Sequence, residues 1–178
     1  MPVLSTPRLQ LDPLQPQHAA EMFPLLQDSA IYRYLDYGPP ASEQALQALY
    51  ERLARGSSAD GTEVWLNWLV RLQGGAALGY VQATVVPGNK AWVAYVLAPE
   101  HWGRGYAFEA MHALLSHLAA DHPVGSWRAV IEERNERSAR LLQRLGFEPA
   151  PALQAAAADL TPTERLYVRR ATLPIVAG

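Results

Sequence analysis

Cysteine is absent from the 178 residues. That excludes a thiol nucleophile, a disulfide frame and any zinc site built on thiolates. A basic excess is missing too. Lys and Arg number 15 against 17 Asp and Glu, a formal net charge of −2, and the sequence pI is about 6.2. Nucleic-acid binders carry a positive excess or stripe that meets phosphate, so no nucleic-acid partner is expected. No stretch approaches the roughly 20 apolar residues that span a bilayer. Residues 1–11 hold Pro2, Pro7 and Arg8 where a signal peptide would hold an apolar run. The expectation is a soluble, cytoplasmic protein with no membrane partner. No metal is expected either: His112, His117 and His122 recur at intervals of five, which on a helix turns them away from one common face.

Apolar residues are plentiful, at 49%, and charged residues make up 18%. That composition builds a core, and the length suits one domain over residues 1–178. Residues 7–11 alternate as a short strand does. Met22, Phe23 and Leu26 sit at helical spacing, with Pro24 expected to bend or split that helix. Ser42 has the character of an N-cap ahead of Ala45, Leu46, Leu49, Tyr50 and Leu53 on one helical face. Three apolar runs at 65–72, 77–86 and 91–97 are joined by glycine-bearing turns, which argues for an antiparallel meander. A helical stripe through Ala107, Ala110, Met111, Leu114, Leu115 and Leu118 follows. Then come a strand at 127–131, a helix at 136–145 closed by Gly146, and a last strand at 166–169. The Ala-rich residues 149–158 read as a loop or short helix. The fold class is α+β, a mixed sheet with helices on both faces.

The run that carries chemistry is Val96-Leu97-Ala98-Pro99-Glu100-His101-Trp102-Gly103-Arg104-Gly105-Tyr106-Ala107-Phe108-Glu109-Ala110. A strand ends, a loop with two glycines follows, and a helix begins. The first N–H groups of a helix lack intrahelical partners, and the helix dipole adds positive character there. Glycines let an anion approach the backbone, and Arg104 adds a full charge. Read alone, the run fits either an anion site for a diphosphate or a plain loop with glycines at a helix start. A P-loop needs Gly-Lys-Ser/Thr, which is absent. A dinucleotide fingerprint needs a third glycine and a parallel βαβ unit; position 108 is Phe, and the preceding strands form a meander.

Trp102-Gly103-Arg104-Gly105-Tyr106-Ala107, with Glu109-Ala110, resembles the acetyl-CoA pyrophosphate loop of the GNAT N-acetyltransferase superfamily. It is most similar to the branch that includes the ribosomal-protein alanine N-acetyltransferases, the RimJ/RimL-like branch. The general pattern is Gln or Arg, two residues, Gly, one residue, Gly or Ala. Gly105 and Ala107 match its last two fixed positions, and Trp102 stands in place of Gln or Arg. A second segment, from Asn135 through Ser138 and Leu141 to Gly146-Phe147, resembles the superfamily's next motif. The opening run from Thr6 to Leu14 resembles the first strand of the branch. Asn135 is also a natural helix N-cap.

The resemblance implies a mostly antiparallel sheet splayed between its fourth and fifth strands, residues 91–97 and 127–131, with acetyl-CoA as co-substrate in the opening. Val96 and Leu97 would pair with the pantetheine arm, and a backbone N–H near Leu97 would polarise the thioester. Trp102, Gly103, Arg104, Gly105, Tyr106 and Ala107 would hold the pyrophosphate; Asn135 and Ser138 would lie along the pantetheine. Many relatives place a Glu base on the fourth strand, where this chain has Trp92. Glu132 and Glu133 are then candidate bases, with two exposed acids as their plain alternative. Tyr95 is a candidate proton donor or relay, and Ser138 a candidate donor to the departing thiolate. Tyr32, Tyr34 and Tyr37 could form a lid. Trp65, Trp68, Trp92 and Tyr80 read mostly as core, with one or two left to line an acceptor pocket.

The expected activity is direct acetyl transfer to a primary amine, on a protein N-terminus or a small molecule, in a ternary complex. A covalent acetyl-cysteine is impossible here. Homodimerisation is compatible with this branch, and nothing in the sequence defines an interface. Two alternatives stay open at this point: a non-catalytic acyl-CoA sensor or scaffold, motivated by the vacant fourth-strand Glu, and a nucleotide-binding phosphate-loop protein.

Overall fold

Tight glycine turns order the middle of the chain. In the computed structural model, which describes residues 1–122 and 124–170, the three central strands are β3 (Val64–Leu72), β4 (Ala77–Val86) and β5 (Lys90–Leu97). They pair antiparallel in sequence order. Two short strands precede them, β1 (Leu4–Ser5) and β2 (Leu9–Pro13); β6 (Ser126–Glu132), β7 (Glu148–Pro149) and β8 (Glu164–Arg170) follow. The sheet runs β1-β2-β3-β4-β5-β6-β8-β7, and β5–β6 is its one parallel pair among the described residues. The strand expected at 7–11 starts at Leu9 and reaches Pro13. β1 and β7 were not anticipated, because two residues are too few to show an alternating pattern.

Parallel neighbours need a long crossover. Here it is α3 (Tyr106–Asp121), which buries Ala110, Met111, Leu114, Leu115 and Leu118 against Leu66, Trp68, Val70, Val81 and Val93. Alternation sends Leu69 to the opposite face, where it meets Leu14, Met22, Leu26, Leu46 and Tyr50. That second layer is α1 (Ala19–Leu25), a 3₁₀ turn (Ser29–Tyr34) and α2 (Glu43–Leu53). The Ser42 hydroxyl caps α2 by accepting from the Ala45 N–H at 3.1 Å. Pro24 does not split a longer helix. It lies in the last turn of α1, and the division falls earlier, where a 3₁₀ turn (Pro16–His18) passes into α1. α4 (Glu136–Arg144) ends at Gly146, whose φ is +82°. α5 (Ala152–Ala156) is the short helix of the Ala-rich segment. The result is an open α+β sheet with helices on both faces, as expected. Counting β1, the strands expected as fourth and fifth are β5 and β6.

Gly79 sets how closely β4 lies on β5. Its φ is +154°, and a Cβ there would collide with the Val96 carbonyl and the Leu97 backbone. It pairs with Leu97 beside a register irregularity between β3 and β4, a common use of strand glycine. Gly79→Ala is expected to destabilise the fold by about 2–3 kcal/mol through overpacking, read as a lowered urea midpoint with unchanged m.

Candidate active site

The parallel pair β5–β6 is short. Lys90 faces Ser126, Ala91 faces Trp127 and Trp92 faces Arg128; beyond that no further pair forms. From Val93 onward β5 therefore has backbone groups without a strand partner on the β6 side. The gap between the diverging strands is a cleft of about 900 Å³. It is lined by Val93 to Leu97 of β5 and Ala129 to Glu132 of β6, and closed at its ends by the Gly103–Phe108 region and by α4. Ile31, Tyr34 and Leu35 line it from the opposite helical layer, so the cleft passes from one face of the sheet to the other.

One end of this cleft is the start of α3. Gly105 is the N-cap, with φ +80°, and no side chain caps the helix. Gly103, at φ +75°, has open space where a Cβ would stand. Gly105, Tyr106, Ala107 and Phe108, at the start of α3, line the cleft, and no side chain among the described residues caps the helix. Arg104 differs from its neighbours. It is exposed and is not among the lining residues.

Sequence reasoning overlooked what holds this loop from behind. Glu109 accepts from the Thr6 hydroxyl at 2.6 Å, the Arg8 N–H at 3.0 Å and Arg8 Nε at 2.6 Å. The Arg8 guanidinium also donates to the Arg104 carbonyl at 3.0 Å and lies 4.7 Å from the centre of the Tyr106 ring. Burial pushes the Glu109 carboxyl up, but the bonds from Thr6 and Arg8 outweigh it and hold the group below its ordinary value of 4.5. Thr6, Arg8 and Glu109 are all present in the two segments that resemble known motifs. Their partnership spans about a hundred residues, which no local pattern reveals.

The remaining candidates converge from three elements. The Tyr95 hydroxyl and Ser138 Oγ are 2.7 Å apart. Burial raises the Tyr95 phenol, overcoming the opposing effects of the Ser138 bond and the Arg137 charge, so it stays protonated at neutral pH. The Asn135 side chain caps α4 by accepting from the Ser138 N–H at 3.2 Å. Trp102 donates from its indole to the Leu97 carbonyl at 2.7 Å, and the Arg137 guanidinium covers its ring at 4.7 Å. A large aromatic residue thereby ties the loop to the end of β5. Glu132 lines the cleft, with Oε1 accepting from the Thr163 hydroxyl at 2.7 Å. Glu133 does not line it and is paired with Arg165 at 2.7 Å. Of the tyrosines expected as a lid, Tyr34 lines the cleft, while Tyr37 meets the Tyr80 hydroxyl at 3.3 Å. Trp68 is core, fully buried; Trp65, Trp92 and Tyr80 are half-buried. No group of three or more potential metal ligands occurs among the described residues.

Residues 8–148 match the acetyltransferase (GNAT) domain family, well over half of the chain. The chain belongs to the GNAT acetyltransferase family. It is 27% identical over 157 residues to the uncharacterized N-acetyltransferase YoaA of Bacillus subtilis (strain 168), covering 86% of each protein. Its fold is similar to that of an acetyl transferase from Salmonella typhimurium that modifies the N-terminal serine of ribosomal protein L7/L12. That likeness has a TM-score of 0.76 at 18% identity, over 95% of this chain and 99% of that one. It is also similar to the microcin C7 self-immunity acetyltransferase MccE, solved with acetyl-CoA and AMP, at a TM-score of 0.76, 15% identity and 93% coverage of each chain.

This GNAT protein is thus an acetyltransferase enzyme, and no helix among its described residues is long and apolar enough to cross a membrane. The Arg8–Glu109 clamp lends it a pH-dependent share of stability. With a lowered carboxyl pKa, that share is complete above pH 4.5 and is lost as pH falls through the folded-state value. Glu109→Gln is expected to cost about 1–2 kcal/mol near neutral pH. The gap from wild type should shrink in strong acid, as urea melts at both pH values would show.

Proposed function

We propose that the cleft binds acetyl-CoA and passes its acetyl group directly to a primary amine, within one acetyltransferase domain working in the cytoplasm. The observation that carries this reading is the unpaired edge of β5 running straight into an uncapped helix N-terminus. An edge strand accepts an extended, amide-bearing arm much as it accepts another strand. A bare helix start accepts a pyrophosphate. The two follow one another along the chain, as the pantetheine arm and the diphosphate follow one another in the cofactor. Val96 and Leu97 hold the arm. Gly103, Gly105, Tyr106 and Ala107 hold the diphosphate through backbone N–H groups. Trp102 keeps the loop against β5, and Arg104 contributes charge from the exposed side. Asn135 and Ser138 flank the arm from α4.

In the reaction, the amine nitrogen's lone pair attacks the thioester carbonyl carbon. The carbonyl oxygen gains charge beside the β5 backbone, where an N–H near Leu97 stabilises it. The C–S bond breaks, the amine gives up a proton, and the thiolate takes one. Glu132 receives the amine proton: Thr163 occupies one of its oxygens and the other has no partner among the described residues. The Tyr95–Ser138 pair supplies the proton to the thiolate. An α-amine, with a reference pKa of about 7.7–8.0, needs little help from the base, whereas a lysine amine near 10.4 needs much more. An α-amine on a small molecule or a protein N-terminus therefore suits this site, whose two cleft-lining carboxylates among the described residues are Glu132 and Glu136, the latter at the α4 start. Holding both substrates in one cleft supplies acceleration by proximity.

Acetyl-CoA is expected to raise the melting temperature of the wild type, since a ligand at a hundredfold excess over its Kd adds about 2.7 kcal/mol. Ala107→Glu should retain the fold, because a carboxylate at a helix start is favourable, yet abolish that shift by repelling the diphosphate. An equal shift in both proteins would remove the diphosphate from this loop. Tyr95→Phe is expected to lower kcat about 10²-fold, in the range of a lost proton donor, with the acetyl-CoA shift retained. Unchanged turnover would take Tyr95 out of the relay.

A further inference from the structure

β5 is antiparallel to β4, so its residues alternate between bonding β4 and facing the other way. The register sets which do which. The Ala98 N–H donates to the Leu78 carbonyl at 2.8 Å, and these two residues continue the β4–β5 pairing. Val96 and Ala94 share that parity and bond β4 opposite Tyr80 and Gln82. Tyr95 and Leu97 therefore turn their N–H and C=O groups toward the β6 side, where pairing has already stopped at Trp92. Those four groups are the edge that the cleft offers to an extended ligand.

One of the four is taken. The Leu97 carbonyl accepts from Trp102 Nε1 at 2.7 Å. The peptide that carries it is held at both ends, since its N–H is that of Ala98, bonded to β4. The indole is anchored as well. The Arg137 guanidinium lies 4.7 Å from the centre of its ring. Among the described residues, Trp102 is the one packed against both apolar clusters, that under α3 and that under α1 and α2. An arm that displaced the indole from Leu97 would strand a half-buried N–H between those clusters, which is unfavourable. The edge thus ends in a donor, the Leu97 N–H, and its nearest open acceptor is the Tyr95 carbonyl.

We propose that Trp102 is a register stop for the cofactor arm. By occupying the Leu97 carbonyl it makes the Tyr95 carbonyl the first acceptor that an arm amide meets on its way in from the glycine loop. The proposal rests on the acetyl-CoA reading of the cleft. A strand edge repeats every two residues, about 7 Å, so pairing with the Leu97 carbonyl instead would draw the arm back toward the loop by that distance. The thioester would be drawn back with it, away from the Tyr95 and Ser138 hydroxyls. Trp102 acts through Leu97 and exchanges no proton with the substrate, so it is a positioning residue.

The test uses the whole chain with 15N-labelled tryptophan, and acetyl-CoA as the ligand. The five tryptophans give five indole N–H signals, and that of Trp102 is the one lost in Trp102→Phe. In the ligand-free wild type this N–H is expected to exchange slowly with D2O, and on saturation with acetyl-CoA its rate should stay within about twofold or fall. Fast exchange in the free protein, or a larger rise on binding, overturns the stop, because the indole has then left Leu97. Crystal structures of the two complexes read the register itself. In the wild type an arm amide should donate to the Tyr95 carbonyl; in Trp102→Phe, which keeps a ring but lacks the N–H, it should donate to the Leu97 carbonyl. An arm in the same place in both proteins overturns the stop and leaves Trp102 a prop of the loop. Should the variant not fold, the wild-type complex decides alone: an arm bonded to the Leu97 carbonyl sinks the stop while the cofactor reading stands. If acetyl-CoA neither raises the melting temperature nor occupies the cleft, it is the cofactor reading that fails.

Discussion

The structure depends on a pairing that stops. β5 and β6 run parallel, joined through α3, and share three facing residue pairs before they diverge. A sheet that continued to pair would leave no room for a ligand, and one that never paired would leave its two halves unconnected. Three pairs hold the halves together at one end and leave β5 open at the other. The same divergence makes the cleft pass through the sheet, so that it opens on both faces. Gly79 belongs to this arrangement, because it lets β4 lie against β5 at Val96 and Leu97, on the stretch of β5 that has no partner in β6.

The loop at the open end is held in place from a distance. Arg8 and Thr6, ahead of β2, bind Glu109 in the first turn of α3, and Arg8 reaches on to the Arg104 carbonyl. The carboxylate thus satisfies donors from ahead of β2, while no side chain among the described residues caps the start of α3. Trp102 secures the other flank by bonding the last carbonyl of β5. The Gly-x-Gly loop is free of Cβ atoms where a ligand comes close, yet it is held on both sides by side chains. Polar groups elsewhere follow the same economy. Tyr95 and Ser138 satisfy each other inside the cleft.

The local periodicities carried most of the elements. The stripe from Ala107 to Leu118 is α3, the three apolar runs are β3, β4 and β5, and Ser42 and Asn135 cap the helices they precede. Gly103 and Gly105 marked a loop ahead of a helix start, and both have positive φ. These features were legible because each depends on residues within about one turn or one hairpin of each other. Pro24 was less legible. Its effect depends on where the helix ends, and α1 ends one residue after it.

What the sequence determined by itself was therefore the identity and order of the longer elements and the place of the glycine loop between β5 and α3. Tertiary structure decided which residues share a site. The Thr6–Arg8–Glu109 clamp, the Tyr95–Ser138 contact and the pairing of Glu133 with Arg165 all join segments far apart in the chain. Which backbone groups of β5 turn toward the cleft likewise depends on its register with β4. Register is decided by burial of whole faces, since shifting a strand by one residue exchanges its inward and outward side chains. That is a property of the assembled sheet, and the strand's own residues do not contain it.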